Sequence, residues 1–522
     1  MINSNKKILF LLLFIIFINL KTFPQAAERQ ANIDFNESYY EEALKRYLEI
    51  YKNEYENIKY NYRIGICYLF TNIDKSLAVP YLEFVANQDI KNKSIHYDLG
   101  IAYHYAQQYD KSIEAFEIFK RTLNRNSELF EEVNRYIEVC NNAIELKSKP
   151  LNIEFVNLGK NVNSKKSEYA PFVTEDGNSL LYTSDRKYVS IYKTYIKNVY
   201  YCRASLNGWK KTKPVTRINT VDDEILTGLS NAGDRLFVQI MRYDVYKDVY
   251  SCSKYKTRFG VIEDLGKNIN SKYTEKSACL STSGDTLYFS SNQPGGFGGM
   301  DIYYSLHLPD GSWGIPVNLG ANINSEYDED YPNISYDGKT LMFCSNGYNT
   351  MGGFDIFVSK MNLISKEWQK PKNFGYPVND PYDNYTISIA PKGRIAYVSS
   401  LRKDGFGEFD IYKVVFKNKE AEISVRKGLI LVGNPDTSFQ TSMIDTNISI
   451  TIIDKKTNNI FGRYNYNKTT GEYLFALPSG DYYINIEGEN YEPYNKLIHI
   501  PNKHPAKNNA IVKNIYLKQK YN

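Results

Sequence analysis

Four glutamates at equivalent positions of an internal repeat are the residues of this sequence best suited to binding chemistry. They are Glu168, Glu224, Glu275 and Glu329, and a fifth repeat carries Asn384 at the same position. Carboxylates collected around one mouth of a ring of repeats would bind Ca²⁺ or a basic peptide, because these cations prefer oxygen partners. Asp328 and Asp330 add negative charge beside the fourth glutamate.

The same glutamates also admit a structural interpretation. Each carboxylate would accept hydrogen bonds from the backbone of a neighbouring repeat and so lock the loops between repeats. We favour this interpretation, because one residue type retained in successive repeats of a single chain is what a structural role produces. The binding role stays open. It would require no organic cofactor, and Ca²⁺ is its candidate metal.

The repeat that positions these glutamates is marked by an asparagine and a glycine at constant separation. Each glutamate follows a marker asparagine by five residues, and the marker glycine follows the same asparagine by 14 residues. Two markers that stay in register through insertions indicate a duplicated unit of about 50 residues. Because Asn tolerates left-handed backbone and bonds its own backbone, we expect the asparagines to form turns between repeats. The marker pairs are Asn163 and Gly177, Asn219 and Gly233, Asn270 and Gly284, Asn324 and Gly338, and Asn379 and Gly393.

Each repeat predicts four short β-strands, a to d in chain order, as in the blade of a β-propeller. The fifth repeat has no strand d, whereas residues 153–159 resemble a strand d that stands alone ahead of the first repeat. We expect these residues to complete the last blade, which gives five blades over residues 151–417. Six blades are the alternative if part of 417–435 adds a sheet.

Helical spacing of apolar residues extends over 28–147, with a period of about 34 residues. Gly65 and Gly100 would let paired helices approach closely. The pattern resembles the tetratricopeptide (TPR) repeat, which implies an array of about three helix pairs, a capping helix over 127–146 and a concave surface for a partner. A plain helical bundle is the alternative. The small residues that recur at this period are Ala43, Ala78 and Ser112.

The repeat ends before residues 420–519, which predict alternating strands with a hairpin turn at Pro478–Gly480. The stretch Gly471-Glu-Tyr-Leu-Phe-Ala-Leu-Pro-Ser-Gly-Asp-Tyr482 resembles the carboxypeptidase regulatory-like β-sandwich. That resemblance implies a stabilising or adhesive module. The predicted fold is therefore multidomain: an α-helical TPR array, a five-bladed β-propeller and a small β-sandwich.

Residues 1–25 have the pattern of a secretory signal peptide. Lys6 and Lys7 precede the apolar run Ile8–Leu20, and small residues follow near Ala26. Thirteen residues are too few for a membrane-spanning helix, so we expect cleavage and export to the periplasm. The net charge of +5 includes lysines of this segment, and the near-neutral remainder gives no electrostatic case for nucleic acid.

The six cysteines lack the spacing of a disulfide framework. Buried free thiols are favoured, and a bond between Cys202 and Cys252 is the alternative. There is no Gly-x-Ser-x-Gly or His-Glu-x-x-His motif, and the five histidines lack ligand-like spacing. The cluster Gly295–Gly299 predicts a tight turn rather than a phosphate loop, because no helix pattern follows it.

The repeats as a set resemble TolB-type, WD-like periplasmic propeller repeats. The segments Gly295-Gly-Phe-Gly-Gly-Met-Asp-Ile-Tyr303 and Gly352-Gly-Phe-Asp-Ile-Phe357 carry this resemblance, with Tyr331-Pro-Asn-Ile-Ser-Tyr-Asp-Gly-Lys-Thr-Leu341. The order TPR, propeller and regulatory-like sandwich is similar to the Bacteroidetes periplasmic proteins of the PorE kind, which belong to the type IX secretion apparatus. Those proteins end in an OmpA-like domain that holds peptidoglycan. This sequence lacks one, so we expect only indirect contact with peptidoglycan.

These observations predict a non-enzymatic periplasmic scaffold whose partners are envelope or outer-membrane proteins. It would not span the membrane itself and would associate with the outer membrane through those partners. A propeller that binds a cation, a basic peptide or a glycan at its channel mouth is the alternative. A propeller hydrolase ranks third, because no nucleophile and base can be paired in the sequence.

Overall fold

The computed structural model describes residues 26–88, 91, 93–191, 194–205, 208–230, 232–241, 248–255, 258–335, 337–362, 364–390, 393–417, 423–433, 447–455, 458–478, 480–500 and 510–520. The predicted signal peptide, 1–25, lies outside the described residues. Two compact units are present. The first holds the chain up to Leu151 with Val156–Ser388 and Tyr397–Lys413, and the second holds Asn152–Phe155, Ile389–Ala396 and Val414–Asn522.

Helices fill the N-terminal part of the first unit. Side-chain caps start two of them: Asn57 accepts a hydrogen bond from the Tyr60 amide, and Ser127 accepts one from the Phe130 amide. The helices are α1 (26–36), α2 (Tyr40–Tyr51), α3 (Ile58–Leu69), α4 (Val79–Gln88), α5 (Ile95–Tyr105), α6 (Tyr109–Lys120) and α7 (Glu128–Ser148), with a 3₁₀ turn at Lys75–Ala78.

The two helical glycines lie where helices pack closely, as predicted. A Cβ on Gly65 would come within 2.5 Å of the Leu82 side chain, and one on Gly100 within 2.7 Å of the Phe116 ring. The absence of a side chain therefore brings α3 against α4 and α5 against α6. Successive helices pack against one another, and residues from α1 to α6 share one buried apolar cluster.

Short antiparallel strands follow. They are β1 (Ile153–Asn157), β2 (Glu168–Val173), β3 (Ser179–Val189), β4 (Thr194–Ser205), β5 (Gly208–Trp209), β6 (Lys213–Pro214), β7 (Asp223–Leu229), β8 (Arg235–Met241), β9 (Asp248–Tyr255), β10 (Arg258–Asp264), β11 (Glu275–Leu280), β12 (Thr286–Ser291), β13 (Asp301–Leu306), β14 (Val317–Asn318), β15 (Glu329–Ile334), β16 (Thr340–Ser345), β17 (Asp355–Lys360), β18 (Lys372–Asn373), β19 (Ile387–Ile389), β20 (Ile395–Ser400) and β21 (Asp410–Phe416).

The strands form successive sheets, one for each sequence repeat. Their orders among the described strands are β2-β3-β4-β5 with β6 also on β4, β10-β9-β8-β7, β11-β12-β13-β14, β15-β16-β17-β18, and β1-β21-β20-β19. The strand that precedes the first repeat thus belongs to the last sheet, which confirms its predicted place. The region is propeller-like in its succession of small antiparallel sheets of four or five strands.

Apolar side chains join neighbouring sheets face to face. Phe172 of the first sheet clusters with Leu226 of the second, and Phe237 of the second with Phe289 of the third. Ile302 of the third sheet clusters with Phe357 of the fourth. All of these side chains are buried, so apolar contacts join the first four sheets in succession.

The marker glycines perform the role that the sequence predicts. All five adopt positive φ values between 64° and 77°, in the turn between strands a and b. The region Gly295–Gly299 also forms the predicted tight turn: the Phe297 and Gly298 amides donate hydrogen bonds of 2.7 and 3.0 Å to the Asp301 carboxylate.

The second unit contains two further sheets. Their strands are β22 (Ile423–Val432), β23 (Ile448–Asp454), β24 (Ile460–Tyr464), β25 (Glu472–Pro478), β26 (Gly480–Gly488), β27 (Tyr491–Ile500), β28 (Ala510–Val512) and β29 (Ile515–Leu517). One sheet has the order β25-β22-β28 with β29 also on β22, and the other has the order β24-β23-β26-β27. Ile430, Phe475, Ile484 and Ile500 belong to one buried cluster of this unit.

The predicted hairpin at Pro478–Gly480 is wrong. The strand before it, β25, pairs with β22, whereas the strand after it, β26, pairs with β23 and β27. The chain therefore passes from one sheet to the other at this point. Alternating apolar residues indicate that a segment is a strand, but they do not identify the strand with which it pairs.

Candidate functional site

The four predicted glutamates occupy one recurring environment. Each begins, or lies one residue into, the first strand of its sheet, and each is 0% exposed. One carboxylate oxygen accepts a hydrogen bond from the main-chain amide of the residue four positions earlier. The donors and distances are Ser164 at 3.0 Å, Thr220 at 2.9 Å, Ser271 at 3.1 Å and Ser325 at 2.8 Å.

The hydroxyl of that same Ser or Thr donates to the other carboxylate oxygen in every case. In the first, third and fourth sheets a second serine from strand b also donates. Ser184 lies 2.8 Å from Glu168, Ser291 2.9 Å from Glu275, and Ser345 2.7 Å from Glu329. Each carboxylate therefore closes its own loop onto its own strands. The predicted backbone partner in a neighbouring repeat is wrong, because the amide that bonds each glutamate lies four residues earlier in the same repeat.

The fifth sheet builds the equivalent loop with an amide. Asn384 accepts a hydrogen bond of 2.8 Å from the Asp380 amide, and its own amide group lies 3.3 Å from the Asp380 carboxylate. In this loop the carboxylate of Asp380 stands where the other loops have Ser or Thr, and the amide of Asn384 stands where they have Glu. The backbone hydrogen bond that closes the loop is kept. A negative charge at the glutamate position is thus not needed to form this loop.

Burial raises the pKa of all four carboxyl groups. Desolvation raises the pKa of Glu168 to about 7, against the opposing charge of Arg186. Desolvation also raises the pKa of Glu224, Glu275 and Glu329, opposed by their Ser or Thr hydrogen bonds. Glu168 forms a salt bridge, since the Nη2 atom of Arg186 lies 2.7 Å from its Oε1. A ligand role for the four residues stays a prediction.

The two aspartates beside Glu329 are also engaged internally. Asp328 accepts a hydrogen bond of 2.7 Å from the Met300 amide. Asp330 is 4% exposed and accepts hydrogen bonds from the hydroxyls of Ser277 and Ser290. These carboxylates connect the third and fourth sheets rather than forming an open acidic surface.

The marker asparagines act differently from the prediction. None of them is among the described residues with positive φ, so the expected left-handed turn is wrong. Instead, the side chain of Asn324 accepts from the Ile302 amide at 2.8 Å and donates to the Ile302 oxygen at 3.0 Å. Asn219 and Asn379 make the same pair of bonds with Val199 and Ile356. In these three repeats the side-chain amide therefore bonds both the N–H and the C=O of one residue in the preceding sheet, as a neighbouring strand would.

The same device joins the end of the repeat region to its beginning. Asn163, from the first repeat, pairs with both backbone groups of Ile411 in the last sheet, at 2.9 and 3.1 Å. Asn157 of β1 donates a hydrogen bond of 2.7 Å to Asp410, as Asn318 does to Asp301 in the third sheet. The first and last repeats therefore meet through ordinary repeat contacts.

No group of three or more His, Cys, Asp or Glu side chains suited to a metal ion occurs among the described residues. All six cysteines are buried and unbonded to one another, which confirms the predicted free thiols. No helix of the described chain is long and apolar enough to cross a membrane.

In the helical segment a cysteine contacts a histidine. The Cys140 sulfur lies 3.4 Å from Nδ1 of His104 and 3.3 Å from the Ser112 hydroxyl. Burial raises the pKa of the Cys140 thiol to about 11 and lowers that of His104 to about 4. Both groups are neutral and shielded from solvent, so the contact has the properties of a packed core rather than of a nucleophile and its base.

The helical segment packs on the propeller-like region through polar groups and one buried apolar contact. Lys166, just before β2, lies 3.2 Å from Glu41 of α2 and 2.8 Å from Glu408 of the last repeat. Asn142 of α7 donates a hydrogen bond of 3.1 Å to the Thr350 oxygen. Met351 lies in one buried cluster with residues of α6 and α7. The helices therefore form a fixed part of the first unit.

A cavity of about 460 Å³ lies among the first strands of successive sheets. Ala170, Ile225, Lys276 and Asp330, from the first strands of four sheets, line it together with Thr386, which lies just before β19. Asn72, Lys75 and Tyr105 of the helical segment also line it, so the helices border one end of this channel. Much of the remaining lining is aromatic, with the rings of Tyr331 and Phe354 lying 5.6 and 5.4 Å from that of Tyr385.

Two features of this region were missed in the sequence. A Ser or Thr directly follows each of the first four marker asparagines. Because this residue recurs at the same position, it could have been predicted as the hydrogen-bond donor to each glutamate. The contacts of Lys166 and Asn142 with distant segments leave no comparable signal, because isolated polar residues on helices and loops resemble ordinary surface residues.

No protein-family model and no curated protein matches the sequence. Among solved structures, a protein assigned as TolB from Agrobacterium tumefaciens is similar at 16% identity and a TM-score of 0.30, over 62% of this chain and 97% of that one. TolB from Acinetobacter baumannii is 12% identical with a TM-score of 0.31, over 55% and 71%. An endo-arabinase from Bacteroides thetaiotaomicron is 12% identical with a TM-score of 0.33, over 51% and 99%.

Proposed function

We propose that this protein is a non-enzymatic scaffold of the periplasm that holds partner proteins of an outer-membrane secretion machine, type IX, or of an envelope-assembly machine. In this proposal 28–147 is a TPR array, 151–417 a five-bladed propeller, and 420–519 a carboxypeptidase regulatory-like β-sandwich. Residues 1–25 are a cleaved signal peptide that exports the protein.

The observation that carries the proposal is a set of exposed aromatic side chains at the ends of helices α2 and α3. The helices are fixed to the propeller-like region on one side, yet they leave large apolar side chains in solvent. Tyr55 is 62% exposed, Phe70 is 63% exposed and Tyr39 is 58% exposed. Exposed aromatic side chains on a rigid support are typical of surfaces that bind other proteins.

Crosslinking in intact envelopes, followed by purification of the full chain, tests this function. We expect wild type to recover envelope proteins, and the double variant Tyr55→Ser/Phe70→Ser to lose them. The matched control is Ile364→Ser, a 95% exposed apolar residue of the propeller-like region. Unchanged recovery with the double variant, or equal loss with the control, would reject binding by the helical surface.

A propeller that binds a ligand in its channel is the second candidate function. The aromatic lining and the charged groups of Lys276 and Asp383 favour it, because such cavities can hold a glycan or a basic peptide. Thermal unfolding of wild type and of Glu275→Gln/Glu329→Gln with Ca²⁺, basic peptides or oligosaccharides tests it. If no addition raises the unfolding temperature of wild type, this candidate fails.

A further inference from the structure

A second cavity, of about 180 Å³, lies between the first and second sheets. It is at the opposite end of β2 from the helical segment: Tyr169, near the start of this strand, borders the helices, whereas Thr174, just past its end, lines the second cavity. Gly233, in the turn before β8, also lines it. This surface is therefore separate from the helices and from the Glu168 loop at the start of β2.

The charged side chains that line this cavity are all cationic. They are Arg203, Arg217, Lys254 and Arg258. The three arginines are exposed, and Lys254 is half-buried. Within the part of the chain that the structure describes, none of the four forms a salt bridge. We call this surface the cationic groove.

Among the described residues, Asp176 and Asp234 lie at the margin of the cationic groove, close in sequence to its lining residues. Asp176 is held by the Thr174 hydroxyl at 2.5 Å, and Asp234 by the Ser230 hydroxyl at 2.6 Å. The hydrogen bond from Thr174 is the main cause that lowers the pKa of Asp176, with a smaller contribution from the charge of Lys254. The repulsion among the four cations is thus only partly offset within the chain, and an anion would lower it.

Apolar side chains complete the lining. Phe259 and Tyr201 are half-buried, and Leu181 and Val215 are buried beneath them. Arginine recognises carboxylates through paired hydrogen bonds, and an apolar floor beside it suits a neighbouring side chain of the same ligand. The cavity is smaller than the several hundred Å³ that a drug-sized molecule fills, so it fits one or two side chains of a longer ligand.

The adjacent outer strand gives such a ligand a second support. β10 extends over seven residues, whereas the outer strands β14 and β18 of the next two sheets have two residues each. Arg258 and Phe259 belong to β10, and Val261 of the same strand is 77% exposed. An extended chain lying along β10 would bring its side chains over the cationic groove.

We propose that the cationic groove binds an acidic, extended segment of a partner protein, with carboxylates on the arginines and an apolar side chain against Phe259. This deepens the proposed scaffold function by naming the chemistry of one partner. It does not depend on the helical surface, so each can fail without the other.

Binding of a labelled, glutamate-rich peptide with one aromatic residue to the full chain tests the proposal by fluorescence anisotropy. We expect the affinity of wild type to fall as salt rises, and the double variant Arg217→Glu/Arg258→Glu to weaken binding about tenfold or more. The matched control, Lys210→Glu/Lys211→Glu, reverses two exposed charges of the same repeat outside the groove, and we expect less than about a twofold change. Both variants should keep the thermal unfolding of wild type, because all four residues are exposed.

A lysine-rich peptide of matched length provides the reciprocal measurement. It should bind the Arg217→Glu/Arg258→Glu variant better than it binds wild type. Equal weakening by the control variant, or no binding of the acidic peptide to wild type, would overturn the proposal. Displacement of the peptide by inorganic phosphate at equal concentration would show a small-anion site instead, and stronger binding of a single-stranded oligonucleotide would show a nucleic-acid surface. Either result also overturns it.

Discussion

The guanidinium of Arg135 donates hydrogen bonds to the main-chain oxygen of Tyr348, with both terminal nitrogens 3.2 Å away. Tyr348 has a φ of 47°, a backbone conformation that is unfavourable for a residue with a large side chain. Arg135 also bonds the Asn346 oxygen at 2.9 Å and lies 4.6 Å from the centre of the Tyr327 ring. One side chain of α7 thus holds a strained loop of the fourth sheet.

Replacing this side chain should loosen α7 from the propeller-like region. We expect Arg135→Ala to lower the local stability of α7 by about 2 kcal/mol, because charge-assisted hydrogen bonds to partly buried main-chain oxygens are lost. Hydrogen exchange should accelerate about 30-fold at the α7 amides, and those of β10 should stay unchanged. Arg125→Ala, an exposed arginine ahead of α7, is the control and should change exchange little. Equal protection in both variants would contradict the anchoring role.

The buried His104 should make the first unit sensitive to acid. Its pKa is lowered to about 4 by burial, below the ordinary value of 6.5, so the folded state keeps it neutral. Between these values the unfolded chain binds more protons. The contribution of His104 to the unfolding free energy is complete above about pH 6.5. It is lost as pH falls towards 4, by up to about 3 kcal/mol.

The measurement is the difference in unfolding free energy between wild type and His104→Gln across pH 4–7. Gln cannot titrate, so we expect the difference to shrink as pH falls. Buried carboxyl groups with a raised pKa, such as Glu168, make the unfolding free energy fall as pH rises. This effect is present in both proteins, so it cancels in the difference. The control is His499→Gln, since His499 has a 71% exposed side chain. A difference that stays constant with pH would show that His104 does not titrate between the two values.

The sequence predicted those features that repeat along the chain, and outside the repeats it did not predict contacts between residues that are distant in sequence. Repetition identified the strands and the place of 153–157, because Asn157-Leu-Gly repeats Asn318-Leu-Gly and both asparagines meet an aspartate. The hairpin at Pro478–Gly480 failed because alternation carries no information about pairing partners. Arg135 gave no signal at all, because its acceptors are backbone oxygens more than 200 positions away.

The close approach of α5 and α6 should depend on Gly100. Alanine is the better helix former by about 1 kcal/mol, so a loosely packed site would gain stability from Gly100→Ala. Here the added Cβ would lie 2.7–2.9 Å from three atoms of the Phe116 ring, which is fully buried and has no open space to enter. We expect a net loss of about 1–3 kcal/mol in the unfolding free energy.

Denaturant unfolding followed by far-ultraviolet circular dichroism measures this loss. Asn141→Ala, on the exposed face of α7, is the control for helix propensity and should be neutral or slightly stabilising. The double variant Gly100→Ala/Phe116→Leu should recover part of the loss, since the smaller side chain leaves room for the methyl group. A gain in stability with Gly100→Ala alone would show that the helices can separate without cost.

The six cysteines should be unreactive in the folded chain. Burial raises the pKa of Cys67, Cys202 and Cys279 to about 12, so the nucleophilic thiolate is scarce at neutral pH. A thiol reagent should label fewer than one residue per molecule in native buffer and six after denaturation without reductant. Labelling of only four after denaturation would reveal a disulfide, and Cys202→Ser/Cys252→Ser would then test the alternative pair.

The loop glutamates should differ in whether a negative charge is needed for the stability of the folded chain. In Glu329→Gln the amide oxygen can accept from the Ser325 amide, while the amide nitrogen donates to the hydroxyls of Ser325 and Ser345, which can rotate to accept. In Glu168→Gln the same nitrogen would face Arg186, which cannot accept, so two donors would meet and a half-buried cation would lose its partner.

We therefore expect Glu329→Gln to change the unfolding free energy by less than about 1 kcal/mol and Glu168→Gln to cost about 2 kcal/mol or more at neutral pH. Glu329→Ala should also be costly, because it leaves the Ser325 amide unpaired in the interior. Since burial raises the pKa of Glu329, wild type should lose stability as pH rises above the ordinary value of 4.5, and Glu329→Gln should lack that loss. Ca²⁺ separates the two interpretations of these residues: a site that depends on the carboxylate charge would stabilise wild type and not Glu329→Gln, whereas a structural loop would leave both unaffected.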